Sequence, residues 1–352
     1  MSCEIQDEVD VFLASPTSLN QARQCVWLCE KKISCFRRVA YVNNRAITRR
    51  QLSDIKDYMT SHGFEFISWL QYVGFFFQRW IVASEVLLGF FFCCLARWSY
   101  RKKTVVVAVR ARAKGNEKIL NLLFSSSRFF LLEDGQIDYA RRGKNFVRPC
   151  SNPIFNCDLK FWLYVAPLRT DQIICYLRVL PLTGFLHRVY SARGCAVLDM
   201  PRSFKDYFLD PKFTIFENFF VVLHTRYAEV LDNWDLEQNV DFHLQLLAKG
   251  ANLYNVKGFL LLHPAVTEDE LALMLKKIVS RKSWSVIRSK GAESFLFSPK
   301  CVGALGGMST AMLYAKQLSD LDIKVVFPEE GGPWRFVDNL KMDARRAGIV
   351  VD

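Results

Sequence analysis

The sequence feature that most limits the possible folds is an alternation of strand and helix signals across residues 256–329. Residues 258–263 form a short apolar run that predicts a strand. Thr267 and Glu270 then form a capping box, which predicts that a helix begins directly after this strand. The later predicted elements are a hairpin with strands at 284–287 and 294–297, a helix at 309–318 and a strand at 323–327. The predicted order is therefore β-α-β-β-α-β.

The other parts of the chain also mix helix and strand signals. Apolar residues at three- and four-residue steps, among them Cys25 and Cys29, predict one helix, and Thr48 with Gln51 predicts the start of a second. The β-branched run at 104–109 predicts a strand. We therefore expect an α+β fold with N-terminal helices, an apolar helical hairpin, a mixed middle region and a C-terminal ferredoxin-like β-α-β-β-α-β segment.

The length of 352 residues and a hydrophobic fraction of 51% exclude a disordered chain and a small disulfide-stapled domain. The 11 cysteines are too sparse for a disulfide scaffold, so we expect free thiols in a reducing compartment. Changes in composition predict five segments: an N-terminal helical segment (1–63), an apolar hairpin with a basic β region (64–150), a helical region (151–252), the ferredoxin-like domain (253–331) and a tail (332–352).

Positive charge is concentrated at 97–148, where thirteen Arg and Lys residues face four acidic ones. A block of this kind attracts phosphate on nucleic acid or on an anionic bilayer, or it forms the solvated face of a basic domain. The apolar residues 64–98 precede it and predict either an interfacial hairpin or two buried helices. The candidate membrane-contacting residues are Trp80, Phe90, Phe91, Phe92 and Trp98.

Signatures of catalysis and of metal binding are absent from the sequence. The five histidines are scattered without a metal-ligand spacing, and the cysteines lack the paired spacing of a zinc site. The glycine cluster at 303–307 has no P-loop lysine, so it predicts a loop before a helix capped by Ser309 or Thr310. We therefore expect a binding protein with no enzymatic activity, no cofactor and no metal, although one of the thiols is left open as a nucleophile.

The C-terminal pattern is similar in layout to RNA-recognition-motif domains, whose sheets stack bases on exposed aromatic side chains. The residues that fit this family are Phe259, Lys290 and Phe297, but Ala292 and Ser294 stand where it has aromatics. The resemblance implies an RNA-binding surface, to which the middle segment would add Arg141, Arg142 and Lys144. A packing or partner module is the other interpretation of this domain.

A second resemblance concerns residues 170–202. Thr170 can cap a helix that ends at Leu180-Pro181-Leu182, with Pro201 further along the chain. This segment resembles the F-box-like region of the silencing suppressors of poleroviruses and enamoviruses, with Gly184 in place of the family's Leu or Ile. The other interpretation is an ordinary helix ended by proline. The resemblance implies an adaptor-binding motif formed by Leu180, Pro181, Leu182, Leu186 and Pro201.

These features predict a viral suppressor of host RNA silencing that acts as an F-box mimic and recruits a Skp-cullin ubiquitin ligase to Argonaute. The predicted partners are the host Skp adaptor and Argonaute, with RNA and an anionic membrane surface as further ones. The alternatives are an RNA-binding protein and a membrane-tethered viral replication or movement factor. The predicted location is the host cytoplasm, with the surface of the endoplasmic reticulum left open.

Overall fold

The computed structural model places the strands and helices in two compact units, one formed mainly by residues up to Met200 and the other mainly by residues from Pro201 onward. The five-segment division of the chain stays a sequence prediction. The structure describes residues 9–42, 47, 49–68, 94–95, 98–101, 103–110, 128–133, 173–179, 194–209, 215–225, 234–263, 266–278, 283–288, 291–307, 309–328, 341–342 and 344–351.

The first unit is built on a parallel sheet. Its strands are β1 (Val9–Ser15), β2 (Cys35–Tyr41), β3 (Glu65–Ile67), β4 (Val105–Arg110), β5 (Arg128–Leu132), β6 (Ile173–Arg178) and β7 (Val197–Asp199). They lie in the order β3-β2-β1-β4-β5-β6-β7, and every pairing is parallel. Helix α1 (Leu19–Lys31) joins β1 to β2, and α2 (Arg49–Ser61) joins β2 to β3. Such crossover helices are what parallel neighbours require.

The second unit repeats this arrangement with another parallel sheet. Its strands are β8 (Phe219–Leu223), β9 (Lys257–Leu261), β10 (Trp284–Ile287), β11 (Cys301–Gly306), β12 (Asp322–Val325) and β13 (Val350–Val351), in the order β10-β9-β8-β11-β12-β13. Its helices are α3 (Leu236–Tyr254), α4 (Glu268–Ile278), α5 (Glu293–Leu296) and α6 (Thr310–Leu318), with a 3₁₀ helix at Arg202–Phe208. Counted from the first strand of each unit, both sheets begin in the doubly wound Rossmann order 3-2-1-4-5-6.

The central strands are apolar along their whole length because both faces of each sheet are covered. All five residues of β8 are buried, and Phe220 lies in a core with Val222, Leu260 and Met274. The Phe220 ring occupies the space that side chains at Gly250 and Gly258 would need, since a Cβ built at either glycine lies within 2.5 Å of the ring. Helix α3 thereby packs directly on the sheet.

The predicted ferredoxin-like segment is wrong. That arrangement needs an antiparallel hairpin at 284–297, but β10 pairs in parallel with β9, and residues 293–296 form the short helix α5. The N-terminal prediction of helices alone is also wrong, since β1 precedes α1 and β2 follows it. The predicted apolar helical hairpin lies almost wholly outside the described residues. Within the parts of the chain that the structure describes, no helix is both long enough and apolar enough to cross a bilayer.

Candidate functional site

The strand order of the second unit marks the place where a ligand would bind. Within the sheet, β8 is flanked by β9 and then β10 in one direction. In the other direction it is flanked by β11 and then β12. The neighbours β8 and β11 therefore form the topological switch point, and ligands of open parallel sheets bind outside the carboxyl ends of the two strands at such a point. The residues that follow Leu223 and Gly306 form this candidate site.

On the β11 side, a glycine-rich turn leads into helix α6. Gly306 has a φ of +153°, and a Cβ built on it would lie 2.8 Å from the carbonyl oxygen of Leu223. The two strands can approach this closely only because residue 306 has no side chain. After the turn, the Ser309 hydroxyl accepts a hydrogen bond from the Met312 N–H at 3.3 Å and caps α6. The predicted helix cap at Ser309 is confirmed, but the predicted loop at 303–307 is wrong for most of its length, because Cys301–Gly306 is the strand β11.

Gly306→Ala is expected to lower the free energy of unfolding by about 1–3 kcal/mol, because it combines an unfavourable backbone conformation with a clash against Leu223. Urea unfolding followed by circular dichroism would measure the loss. Gly63→Ala is the matched control, since Gly63 also has a positive φ of +77° but has nothing within 4 Å of a built Cβ. An equal loss in both variants would show that the close approach of the strands contributes nothing.

On the β8 side, a buried polar cluster follows the end of the strand. The His224 Nε2 lies 3.0 Å from the Glu270 Oε1, and the Asn239 Nδ2 donates to the same oxygen at 2.7 Å. Both side chains of the His224–Glu270 pair are at most 2% exposed. The His224 Nδ1 is also buried and has no hydrogen-bond partner among the described residues. A buried ring nitrogen in this state calls for a partner, which a ligand or an ordered water can supply.

His243 fixes the position of Thr225, which follows His224 in the chain. Its Nε2 accepts the Thr225 N–H at 2.9 Å, and its Nδ1 lies 2.6 Å from the Asn239 carbonyl oxygen. These two contacts require the neutral imidazole with its hydrogen on Nδ1. Burial, and after it the neighbouring His224, lower the pKa of His243 to about 3. Thr225, directly after β8, is therefore held by an uncharged histidine.

Acidification is expected to destabilise the second unit through His243. In the unfolded chain the pKa of this side chain returns to its ordinary value of 6.5, so between pH 6.5 and 3 the unfolded state binds the additional proton. Stability is complete above pH 6.5 and falls as the pH is lowered, by about 2 kcal/mol at pH 5. Urea unfolding at pH 7 and pH 5 would measure the change.

The comparison variant for this pH effect is His243→Gln, which cannot titrate. Its loss of stability between pH 7 and pH 5 should be about 2 kcal/mol smaller than that of the wild type. His62→Gln removes a half-buried histidine at the end of α2 and should retain the full wild-type pH dependence. Equal pH dependence in the wild type and in His243→Gln would contradict the assignment.

The neighbouring strand β9 adds polar groups at the same edge of the sheet. His263 is exposed two residues after β9 ends, and its carbonyl oxygen accepts the Val266 N–H at 3.0 Å. The Thr267 hydroxyl then accepts the Glu270 N–H at 3.2 Å at the start of α4. Since β9, β8 and β11 are adjacent, their carboxyl ends bring two histidines and the start of α6 to one edge.

The first unit has its own switch point between β1 and β4. Ser18 caps α1 after β1, and Gln21 and Gln24 both donate from Nε2 to the carbonyl oxygen of Glu133, at 3.3 and 3.2 Å. The Glu133 N–H donates back to the Gln24 Oε1 at 3.0 Å. These bonds fix the carboxyl end of β5, where the Glu133 residue is 1% exposed.

The residues predicted for binding are not brought together among the described ones. Phe259 and Phe297 are buried in the second unit at 7% and 8% exposure, whereas Pro201 and Trp98 are exposed. The predicted helix before Leu180 is wrong, because Ile173–Arg178 is the parallel strand β6. The predicted residues outside the described ones are Leu180, Pro181, Leu182, Leu186, Arg141, Arg142, Lys144, Lys290, Trp80, Phe90, Phe91 and Phe92.

Sequence reasoning missed His224, Asn239, His243, Glu270 and His263 as members of a site. The sequence signal available for them was weak: polar residues follow the ends of two apolar runs, at 219–223 and 257–261. Their grouping depends on parallel strand order. Among the described residues, no three His, Cys, Asp or Glu side chains are grouped so that they could hold a metal ion.

Comparison with known proteins gives no match to a protein-family model or to a curated protein. Solved structures do match. The chain is similar to a UDP-N-acetylglucosamine 2-epimerase, with 10% identity, a TM-score of 0.58, and coverage of 99% of this chain and 84% of the other. It is also similar to the GT-B domain of a sialyltransferase from Photobacterium damselae, with 12% identity, a TM-score of 0.55 and 97% coverage of each chain. The chain has the GT-B fold.

A further match is a 2,6-sialyltransferase from Photobacterium sp. JT-ISH-224, solved with the donor product CMP and the acceptor lactose. Its identity is 12% and its TM-score 0.50, with coverage of 97% of this chain and 78% of the other. At these identities the GT-B likeness establishes the fold alone.

These findings correct the functional predictions. The resemblance to polerovirus and enamovirus silencing suppressors, the F-box mimic, and its partners Skp adaptor and Argonaute are wrong, because the solved structures matched are epimerases and sialyltransferases with a GT-B fold. The alternatives of an RNA-binding protein and of a membrane-tethered factor are not supported either. The prediction of no enzymatic activity is overturned by the same comparisons, since those proteins are enzymes. The predicted cytoplasmic location stays a prediction.

Proposed function

We propose that this chain is an enzyme that binds a nucleotide-activated sugar and transfers the sugar to an acceptor. The nucleotide binds at the carboxyl edge of the second unit, between β8 and β11. The observation that carries the proposal is the glycine turn at Gly306, which passes directly from the switch point of a parallel sheet into a serine-capped helix.

The start of α6 suits a phosphate group. The first N–H groups of a helix lack partners within the helix, and the helix dipole places partial positive charge there. Ser309 takes up the N–H of Met312, and the helix presents its N-terminal end, which favours an anion, at the carboxyl end of β11. The buried Gly307 precedes this turn, so the backbone itself can approach the ligand.

Polar groups on the two neighbouring strands suit the rest of a nucleotide. His263 is exposed at the end of β9, where an imidazole can donate a hydrogen bond to a phosphate oxygen or to a ribose hydroxyl. Thr225 and His224, which directly follow β8, are held by His243 and by Glu270. A ligand at this edge would therefore meet a preorganised backbone, which lowers the entropic cost of binding.

Glycosyl transfer breaks the bond between the sugar carbon and the phosphate oxygen, so negative charge develops on the departing nucleotide. Partial positive charge at the start of α6 would stabilise that leaving group more than it stabilises the bound substrate. The acceptor hydroxyl forms the new bond to the sugar carbon and gives up its proton. Matched sialyltransferases support this reaction class, since the GT-B domain of one of them and this chain each cover 97% of the other.

Epimerisation of a nucleotide sugar is the second candidate, and the TM-score of 0.58 with a UDP-N-acetylglucosamine 2-epimerase favours it. The two reactions differ in their products. Transfer releases a free nucleotide when an acceptor is present, whereas epimerisation changes a sugar configuration and keeps the nucleotide attached. Proton and phosphorus NMR of the full chain with CMP- and UDP-sugars, each with and without lactose, would distinguish the two reactions.

A charge introduced at the start of α6 tests the site itself. Thr310→Glu is expected to weaken binding of CMP or UDP at least tenfold, because a carboxylate there repels the phosphate. Gln317→Glu adds the same charge near the end of the same helix and should change the affinity less than twofold. Isothermal titration calorimetry measures both variants. If the wild type binds neither nucleotide, or if the two variants lose affinity equally, the proposed site is wrong.

A further inference from the structure

A small cavity opens at the amino end of the second sheet, where β8 and β9 begin. Its volume is about 200 Å³, and it is lined by residues 215–219 on the β8 side and by Lys257 and Phe259 of β9. Phe219 and Lys257 are partners in the pairing of the two strands, so both strands start at the same level. A strand rises about 3.3 Å per residue, so the 5 residues of β8 place this cavity about 13 Å from the carboxyl edge. The cavity therefore lies outside the proposed nucleotide site.

Aromatic rings form the apolar part of this cavity. Phe219 and Phe259 are buried, and their ring centroids lie 5.2 Å apart in an edge-to-face arrangement. Phe216 differs from them, because it is 83% exposed although it lines the same cavity. A ligand that covered the Phe216 ring would remove apolar surface from water, which favours binding. The cavity therefore presents an apolar face to a ligand.

Three other lining residues are polar, and their charges balance. Glu217, Asn218 and Lys257 are all exposed. The Lys257 Nζ lies 5.3 Å from the centroid of the Phe259 ring, in a cation–π contact that holds the ammonium group beside the cavity. A carboxylate accepts hydrogen bonds, an ammonium group donates them, and an amide does both. Because Glu217 would repel an anionic ligand and Lys257 a cationic one, the arrangement favours an uncharged ligand.

The size of the cavity and its polar groups restrict the ligand further. A cavity of about 150 Å³ can hold a benzene ring, so a volume of about 200 Å³ suits one six-membered ring. Drug-sized ligands occupy clefts of about 300 Å³ or more, which excludes a whole nucleotide. Hydroxyl groups both donate and accept hydrogen bonds, so they match the mixed polar groups of this cavity. A neutral sugar ring fits all these limits, since its C–H groups form an apolar face and its hydroxyls surround it.

We propose that this cavity binds one neutral sugar ring of a glycan, as a carbohydrate site separate from the nucleotide edge. The C–H face of the sugar packs on Phe216, and its hydroxyls form hydrogen bonds with Glu217, Asn218 and Lys257. Such a site keeps a glycan on the protein without any reaction at the site itself. The proposal concerns the amino edge of the second sheet alone, so it does not depend on the proposed transfer reaction, and its test needs no activity measurement.

The test is saturation-transfer NMR of the full chain with four neutral disaccharides: lactose, maltose, cellobiose and N,N′-diacetylchitobiose. At least one of them is expected to bind in the millimolar range, since a single bound ring makes few contacts. Phe216→Ala should weaken this binding at least fivefold. Phe36→Ala is the matched control, because it removes a phenyl ring that is 76% exposed on β2 and should change the affinity less than twofold. Far-UV circular dichroism confirms that both variants are folded.

Two further measurements separate this site from the nucleotide edge and the sugar from other ligands. Thr310→Glu and an excess of UDP should leave sugar binding unchanged, since both act at the carboxyl edge. Benzoate and benzylamine each combine a six-membered ring with a net charge and should not displace the sugar. The proposal is overturned if none of the disaccharides binds, if Phe216→Ala and Phe36→Ala bind the sugar equally well, or if UDP or either charged compound displaces it.

Discussion

Glu270→Ala is expected to lower the free energy of unfolding by about 3–5 kcal/mol, because it removes one partner of a buried pair and leaves the other without compensation. The Glu270 Oε1 accepts from Asn239 at 2.7 Å and lies 3.0 Å from the His224 Nε2. After the substitution, His224 and Asn239 would stay enclosed without the carboxylate oxygen that both of them contact, and the loss carries a desolvation cost. Urea unfolding of the full chain, followed by circular dichroism at pH 7, measures the effect.

A surface glutamate on the same helix provides the control. Glu268 forms an ion pair with Arg288 at 2.8 Å, but its side chain is 79% exposed. Glu268→Ala should therefore change stability by less than about 1 kcal/mol. The double variant His224→Leu/Glu270→Leu removes both polar groups and should recover much of the loss. If it were no more stable than Glu270→Ala, the cost would come from packing and not from the unpaired group.

Phe220→Ala is the second substitution with a large expected effect, about 3–5 kcal/mol of lost stability. Its ring is fully buried in the core of the second unit and fills the space left by Gly250 and Gly258. The two glycines have no side chain that could fill the space left by the ring, so a cavity would remain. Phe216→Ala is the control, since Phe216 is 83% exposed and its truncation should cost less than about 0.5 kcal/mol. Thermal and urea unfolding would measure both.

The contact with Gly250 gives this prediction a second test. A Cβ at position 250 would lie 2.2 Å from the Phe220 ring, so Gly250→Ala should destabilise the wild type. In the Phe220→Ala background the ring is absent, and the same substitution should be nearly neutral or stabilising. Equal effects of Gly250→Ala in the two backgrounds would contradict the packing described here.

Local signals in the sequence predicted several elements correctly. The capping box at Thr48 and Gln51 corresponds to α2, the β-branched run at 104–109 to β4, and the segment after Thr267 to α4. Each of these elements is indicated by residues that are close together in the sequence. The cap of α6 at Ser309 was also predicted correctly, whereas the glycine cluster before it, predicted as a loop, lies mostly in the strand β11.

The errors arose where local pattern is ambiguous. The apolar run at 173–180 fits the face of a helix, yet Ile173–Arg178 is a strand buried on both sides, and such strands lack the alternation that distinguishes them from helices. The segment 284–297 contains a turn signal, but whether β10 pairs with a following strand or with β9 is decided by long-range contacts. An antiparallel hairpin was therefore predicted in a parallel sheet.

The candidate site could not be predicted from local sequence patterns, because it too depends on long-range strand pairing. His224 and Glu270 are 46 residues apart, and only the order of β8 and β9 with their crossover helix brings them together. A glycine is needed at position 306 because the backbone there lies beside Leu223, and this proximity cannot be inferred from the sequence. A resemblance that covers about thirty residues of one segment carries no information about such pairings.

Every pairing of the described strands is parallel, and this also governs how fast the chain can fold. Neighbouring strands here cannot form as local hairpins, because each pair must first enclose a long crossover. The closure of β8 against β11 joins Phe219 to Cys301, and the described residues between them include the helices α3, α4 and α5 and the strands β9 and β10. Contacts so distant in sequence slow folding. The edge at which the nucleotide would bind is thus assembled late, and a partly synthesised chain that ends before β11 has no such edge.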